Sequence, residues 1–175
     1  MRAQTPARRL ISLRPLRKQR GVAAVEFALV LVPLLVIAFG VVEYGRAIYH
    51  YNTLVKSVRS AVRLVSMYKP DGSDYRSNTV VKARCLAVHG NENCSGRPLV
   101  PSLAVSHVKI CDRNNWSECS GSTQSMYKDV STGDGLIHLV RVQIVGYDYP
   151  FIGLPLVTQA PTVMFNTINA VMRQP

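Results

Sequence analysis

From Val22 to Val42 the sequence runs for 21 residues with one ionisable side chain, Glu26. As a helix rising about 1.5 Å per residue this run spans roughly 32 Å, which matches a hydrocarbon core of about 30 Å. It predicts a membrane-spanning helix and leaves residues 43–175 to build one modest domain. The residues before it hold Arg2, Arg8, Arg9, Arg14, Arg17, Lys18 and Arg20 and no acid. Most of the formal charge of +11 is therefore gathered in this leader, and the remainder of the chain is only mildly basic. Lys and Arg are retained on the cytoplasmic side, so the leader is expected inside and everything from Glu43 onward exported. A basic leader held in the cytoplasm, with no basic patch beyond it, gives no support to a nucleic-acid partner. A cleavable secretory signal would have an apolar region of only about 7–15 residues, and this run is too long. Arg8-Arg9 before Leu10 and Ile11 has the look of a twin-arginine export signal, but the apolar segment starts too far downstream.

All four cysteines, Cys85, Cys94, Cys111 and Cys119, lie on the exported side, where thiols are oxidised and an even count suits paired disulfides. Four cysteines permit three connectivities. Cys85 with Cys94 and Cys111 with Cys119 close the shortest loops and are favoured. A zinc site using His89 or His107 with the cysteines lacks the tight ligand pairs of zinc modules, so no metal and no cofactor are expected. His50 and His138 belong to no recognisable set of catalytic residues, and no enzyme activity is expected.

At the start of the apolar run stands Arg20-Gly21-Val22-Ala23-Ala24-Val25-Glu26-Phe27. An ionisable group in the apolar zone costs on the order of 2.5–3.5 kcal/mol on insertion scales, so Glu26 calls for compensation. A cut after Gly21 would give Val22 a free α-amine one helical turn from Glu26. Amine and carboxylate could then neutralise each other within one chain or between neighbouring subunits. The plainer alternative is that Glu26 snorkels to the interface at the favourable N-terminal end of the helix dipole.

Gly21 and Glu26 occupy the places of the scissile glycine and the fifth mature residue of type IV prepilin-like proteins, which this junction resembles. Residues 21 to 35, with Glu43-Tyr44-Gly45-Arg46-Ala47 beyond them, resemble the TadE-type pseudopilins of tight-adherence (Flp) pilus systems. Major Flp pilins are much shorter, and secretion pseudopilins usually carry Phe or Met where this chain has Val22. The resemblance implies a basic leader 1–21 removed by a prepilin peptidase, a transmembrane helix 22–42, a helical extension 43–68 and an exported domain 69–175. It further implies a single-pass inner-membrane protein with a periplasmic domain. Its partners would be other pilin-like subunits and the inner-membrane assembly machinery, its role pilus biogenesis, with cell adhesion as the remote consequence. The competing function is an envelope binding or adhesion module held by an uncleaved signal anchor.

Beyond the span, Tyr44, Ile48, Tyr51, Val55, Val58, Val62 and Val65 recur at spacings of four and three, a helical stripe for packing against the chain's own domain or another helix. Pro70-Asp71-Gly72 reads as a stop, so one helix is expected to continue to about Tyr68. Pro33 removes one backbone hydrogen bond inside it and predicts a kink or loosened turn. A short helix is expected over Asn78–His89. Strands are expected at Leu103–Ile110, Leu136–Tyr147 and Thr162–Met172, which are rich in Val and Ile. Val140 to Val145, with Tyr147-Asp148-Tyr149-Pro150, loosely resembles the C-terminal part of TadE-like chains. Asp112–Gly135 reads as an exposed loop in which Trp116 and Tyr127 are candidate partner contacts. The fold class is α+β: a long N-terminal helix followed by a small disulfide-stapled antiparallel sheet domain, pilin-like.

Overall fold

A computed structural model describes residues 20–152 and 162–175. The basic leader up to residue 19 lies outside the described residues. Helix α1 covers Arg20–Ser66 with Pro33 inside it. The chain divides into two compact units between Ala38 and Phe39. In the first, the described residues are all helical and, Leu31 apart, their large apolar side chains are exposed. The apolar window of α1 reaches a mean hydropathy of 2.7 with none of it buried by protein. A helix satisfies all its interior backbone groups internally, which is what hydrocarbon demands, and α1 is long and apolar enough to cross a membrane.

The second unit packs the remainder of α1 and a second helix on a small antiparallel sheet. A π-helical turn, Tyr75–Thr79, leads into α2, Val80–His89. Gly90 caps α2 in the left-handed conformation, φ 74°, its N–H bonding to Leu86 O at 3.0 Å. Only glycine is at ease there, and an added Cβ would also lie 3.2 Å from the Leu99 side chain. The strands are β1 (Val108–Cys111), β2 (Val130–Ser131), β3 (Leu136–Ile144), β4 (Asp148–Pro150), β5 (Thr162–Met164) and β6 (Ile168–Gln174). β3 is central, flanked by β1 and β6, with β2 pairing its first residues; β4 and β5 form a separate two-stranded ribbon.

Strand alternation gives the sheet two faces. On one, Val108, Ile144 and Ile168 stand in register, followed by Ile110, Val142 and Ala170, then Val140 and Met172. These rows meet Leu54, Val58, Ala61, Val62 and Val65 of α1 and Val80, Ala83, Ala87 and Val88 of α2 to form the main core. The other face carries a smaller core of Cys111, Cys119 and Tyr127, with Leu139 and Trp116 against it. The two disulfides are Cys85–Cys94 and Cys111–Cys119, the pair of local bridges favoured from spacing. The expected α+β architecture with a long apolar helix is the one observed.

Several expectations are corrected in detail. Val105–His107 is a 3-10 turn, so β1 begins only at Val108. The predicted strand Thr162–Met172 is two strands, separated by residues 165–167. The helix expected from Asn78 begins at Val80, because the preceding residues form the π turn. Asp112–Gly135 is no simple exposed loop, since Asp112, Cys119 and Tyr127 within it are buried.

The packing stripe on α1 is the most instructive correction. Val58, Val62 and Val65 are buried and Val55 is half-buried against the core, as expected. Tyr44, Ile48 and Tyr51 are instead 70%, 44% and 48% exposed, while Glu43, His50, Leu54 and Ser57 are buried. A strict 3.5-residue repeat drifts by about 20° per heptad against a straight α-helix. Traced back from Val65 over three heptads, it leaves the true buried face by roughly 60°. Two polar residues on that face, Glu43 and His50, conceal it from a count of apolar positions.

Candidate functional site

Two places on α1 carry chemistry that the packing of a core does not require. The first is the junction. Gly21, Val22 and Glu26 all lie on the first turns of α1 with exposed side chains or backbone, and nothing stands within 4 Å of the position of a Cβ at Gly21. Glu26 is one turn beyond Val22, so both stand on one face. Pro33 lies further along and does not interrupt the helix.

The second is a buried carboxylate where the predicted span ends. Glu43 is 6% exposed. Its oxygens accept hydrogen bonds from Arg46 Nη1 at 2.6 Å, the Tyr149 hydroxyl at 3.1 Å and the Ile152 amide at 3.4 Å. Burial pushes the Glu43 carboxyl up. The Tyr149 hydroxyl, the Arg46 charge and the Ile152 amide together outweigh it and hold the group below its ordinary value. The Tyr149 hydroxyl is pushed up, first by burial and then by its bond to this carboxylate. Such charge-assisted bonds are the strong ones. They fasten the β4–β5 ribbon to α1 at the level of Glu43.

Aromatic rings extend the joint. Tyr149 stacks on Phe165 with centroids 5.6 Å apart and planes 9° apart, and meets Phe151 edge-on at 5.3 Å. The Arg46 guanidinium lies over the Tyr149 ring at 5.6 Å. His50 meets Tyr149 edge-on, and Tyr51 meets Phe165 likewise. His50 is 8% exposed and its Nδ1 has no hydrogen-bond partner. Burial, then the Arg46 charge, pushes its pKa down, with Glu43 opposing. A cavity of about 400 Å³ lies beside the joint, lined by Gly40, Glu43, Tyr44, Ala47, Tyr149, Phe151, Val163 and Phe165.

Residues 21–63 match the family model described as TadE-like protein. Over this segment the chain is similar to TadE-like proteins. The match opens on Gly21 and takes in Glu26, Glu43 and Arg46. It ends within α1, so the sheet domain lies outside it. No curated protein and no solved structure matches the chain.

The other residues singled out from sequence have structural surroundings. His89 Nδ1 lies 3.1 Å from Gly96 O, and His107 Nδ1 accepts from the Ala104 amide at 3.0 Å. Among the described residues no group of three or more His, Cys, Asp or Glu side chains could hold a metal ion. Tyr127, expected as an exposed contact, is 1% exposed, its hydroxyl 2.9 Å from Ser122 Oγ. Trp116 is half-buried against the same small core.

Glu43 and Tyr149 stand inside sequence motifs that assign neither a role. The available signal was the i, i+3 spacing of Glu43 and Arg46. Gln174 was missed altogether. It is 2% exposed, and its Nε2 reaches Val65 O at 3.3 Å, Tyr68 O at 3.0 Å and the Tyr75 hydroxyl at 3.1 Å. It thereby adds a donor to the Val65 carbonyl in the last turn of α1, which also accepts from the Tyr68 amide, and to the Tyr68 carbonyl just beyond it.

Proposed function

We propose that this chain is a non-catalytic pilin-like subunit that supports assembly of a tight-adherence pilus after a prepilin peptidase removes its leader at Gly21. The observation that carries this reading is the coincidence of the TadE-like match, which opens on Gly21, with a carboxylate one helical turn beyond the bond to be cut. Cleavage removes the basic leader and creates the Val22 amine, which compensates Glu26 in hydrocarbon. The mature chain is a single-pass inner-membrane protein with its N-terminus at the cytoplasmic side and its sheet domain in the periplasm. Its α1 packs with other pilin-like subunits and with the inner-membrane assembly machinery.

In this scheme Gly21 fits the cleavage site of the peptidase, Glu26 is the amine partner, and the apolar run stores the subunit in the membrane before assembly. Gly21→Ala is expected to leave the full-length precursor in the membrane of cells that carry the pilus system. Glu26→Ala is expected to leave expression and insertion intact and to impair pilus formation. Normal piliation with both variants would refute the proposal and favour an anchored binding module with an uncleaved N-terminus.

A further inference from the structure

The β4–β5 ribbon presents apolar side chains that the core does not use. Ile152 is 74% exposed, Met164 72% and Val163 45%. Scattered apolar residues on a surface are ordinary, but Val163 and Met164 lie on the ribbon, in which Asp148–Pro150 pairs with Thr162–Met164, and Ile152 follows two residues after its first strand. From Tyr149 to Met172 the chain has no Asp, Glu, Lys, Arg or His. The height of this ribbon along α1 is fixed, because the Ile152 amide and the Tyr149 hydroxyl both bond to Glu43. Glu43 is the residue that ends the apolar run Val22–Val42. Ile152 therefore stands at the level where that run gives way to polar sequence. Tyr44, 70% exposed, lines the cavity beside the ribbon together with Val163.

We infer that the β4–β5 ribbon is a second membrane contact, seated in the interfacial layer of the bilayer that α1 crosses, with Ile152 and Met164 directed into the lipid. The occupant of this surface is phospholipid, because the bond from the Ile152 amide to Glu43 holds it where the apolar run ends. The ribbon is aromatic on its Tyr149 face and sets Met164 opposite the exposed Asp148 on the other, a mixture that suits this layer, where amphipathic rings such as Tyr44 are favoured. Pulling the subunit out of the membrane would then require the ribbon to leave lipid along with the span.

This inference rests on the membrane-spanning reading of α1, and the test separates the two. The full chain carries one tryptophan, Trp116. With Trp116→Phe as background, an indole is introduced singly by Ile152→Trp, Met164→Trp, Val36→Trp in the span, or Asp134→Trp on an exposed turn. Each protein is reconstituted in phosphatidylcholine–phosphatidylglycerol vesicles, with and without acyl-chain-brominated phospholipid, and its flotation and emission are read. The expected result is that the Val36, Ile152 and Met164 variants emit to the blue and lose most of their emission to bromine, whereas the Asp134 variant does neither. If Val36→Trp is quenched but Ile152→Trp and Met164→Trp behave like Asp134→Trp, the ribbon contact is overturned while the span stands. Failure of Val36→Trp to quench overturns the span and the ribbon contact together. Blue-shifted ribbon emission that bromine leaves intact, and that moves to the red as lipid dilutes the protein, would assign the surface to a second copy of the chain and overturn the lipid contact.

Discussion

Replacing Leu54 or Ile48 with alanine asks which face of α1 packs on the exported domain. The two residues lie on one helix, lose the same three carbons, and differ in surroundings. Leu54 is fully buried in the main core and Ile48 is 44% exposed. At about 0.8 kcal/mol per buried carbon the transfer loss for Leu54→Ala is roughly 2.4 kcal/mol. A cavity left uncollapsed raises this to as much as about 5 kcal/mol. For Ile48 only about half of that transfer loss applies, no closed cavity forms, and the better helix propensity of alanine offsets several tenths of a kcal/mol. The expected cost is below about 1 kcal/mol. Near-UV circular dichroism of the full chain in detergent, followed through a thermal scan, reads the difference. At roughly 2–4 °C per kcal/mol, Leu54→Ala lowers Tm by about 5–20 °C and Ile48→Ala by no more than about 4 °C. An Ile48→Ala drop equal to or larger than that of Leu54→Ala would refute the observed phase of the helix and restore the strict 3.5-residue stripe.

The remaining predictions concern the bonds that close the domain. Each disulfide closes a loop of about nine or ten residues, for which the chain-entropy relation gives about 2.6 kcal/mol; Cys111→Ala with Cys119→Ala should lower stability by about that amount in the same scan, and an unchanged Tm would contradict the stapling account. Gln174→Ala leaves the buried carbonyl of Val65 and the part-buried carbonyl of Tyr68 without this donor and should cost about 1–3 kcal/mol, with faster amide hydrogen exchange confined to the end of α1 as its signature. The pKa of Glu43 is lowered by folding, so its contribution is complete above about pH 4.5 and is lost as pH falls through the folded value. That of His50 is also lowered, so its contribution is complete above about pH 6.5 and is lost as pH falls. Tyr149→Phe removes the largest of the influences that lower Glu43, and should move the acid-unfolding midpoint of the full chain to higher pH; a midpoint that stays put would show that Glu43 does not govern it.

The outline of this fold was legible because its strongest determinants are composition and period. The apolar run needs only counting, and β3 carries the alternation Val140, Val142, Ile144 that marks a half-buried strand. Polar residues with long-range partners were not legible. Glu43 and His50 sit on the buried face of α1 because Tyr149 and Ile152, about a hundred residues away in sequence, supply their neighbours. Asp112 is fully buried in a stretch that reads as loop, where it accepts bonds from Arg76 and from the amides of Asn114 and Asn115. Tyr127 and the Cys111–Cys119 bridge build a second core from a polar segment because the far face of β3 offers Leu139 and Arg141 to cover. The junction was the reverse case. Gly21 and Glu26 make no tertiary contact that a fold would need, so their spacing in sequence was already the whole signal.

The central claim is that Gly21 is where the leader ends and where the amine facing Glu26 is made. N-terminal sequencing of the chain extracted from membranes of cells that carry the pilus system tests it directly. The account predicts a mature protein that starts Val22-Ala23-Ala24-Val25-Glu26. A chain that still carries the residues before Gly21 in assembled material would contradict it.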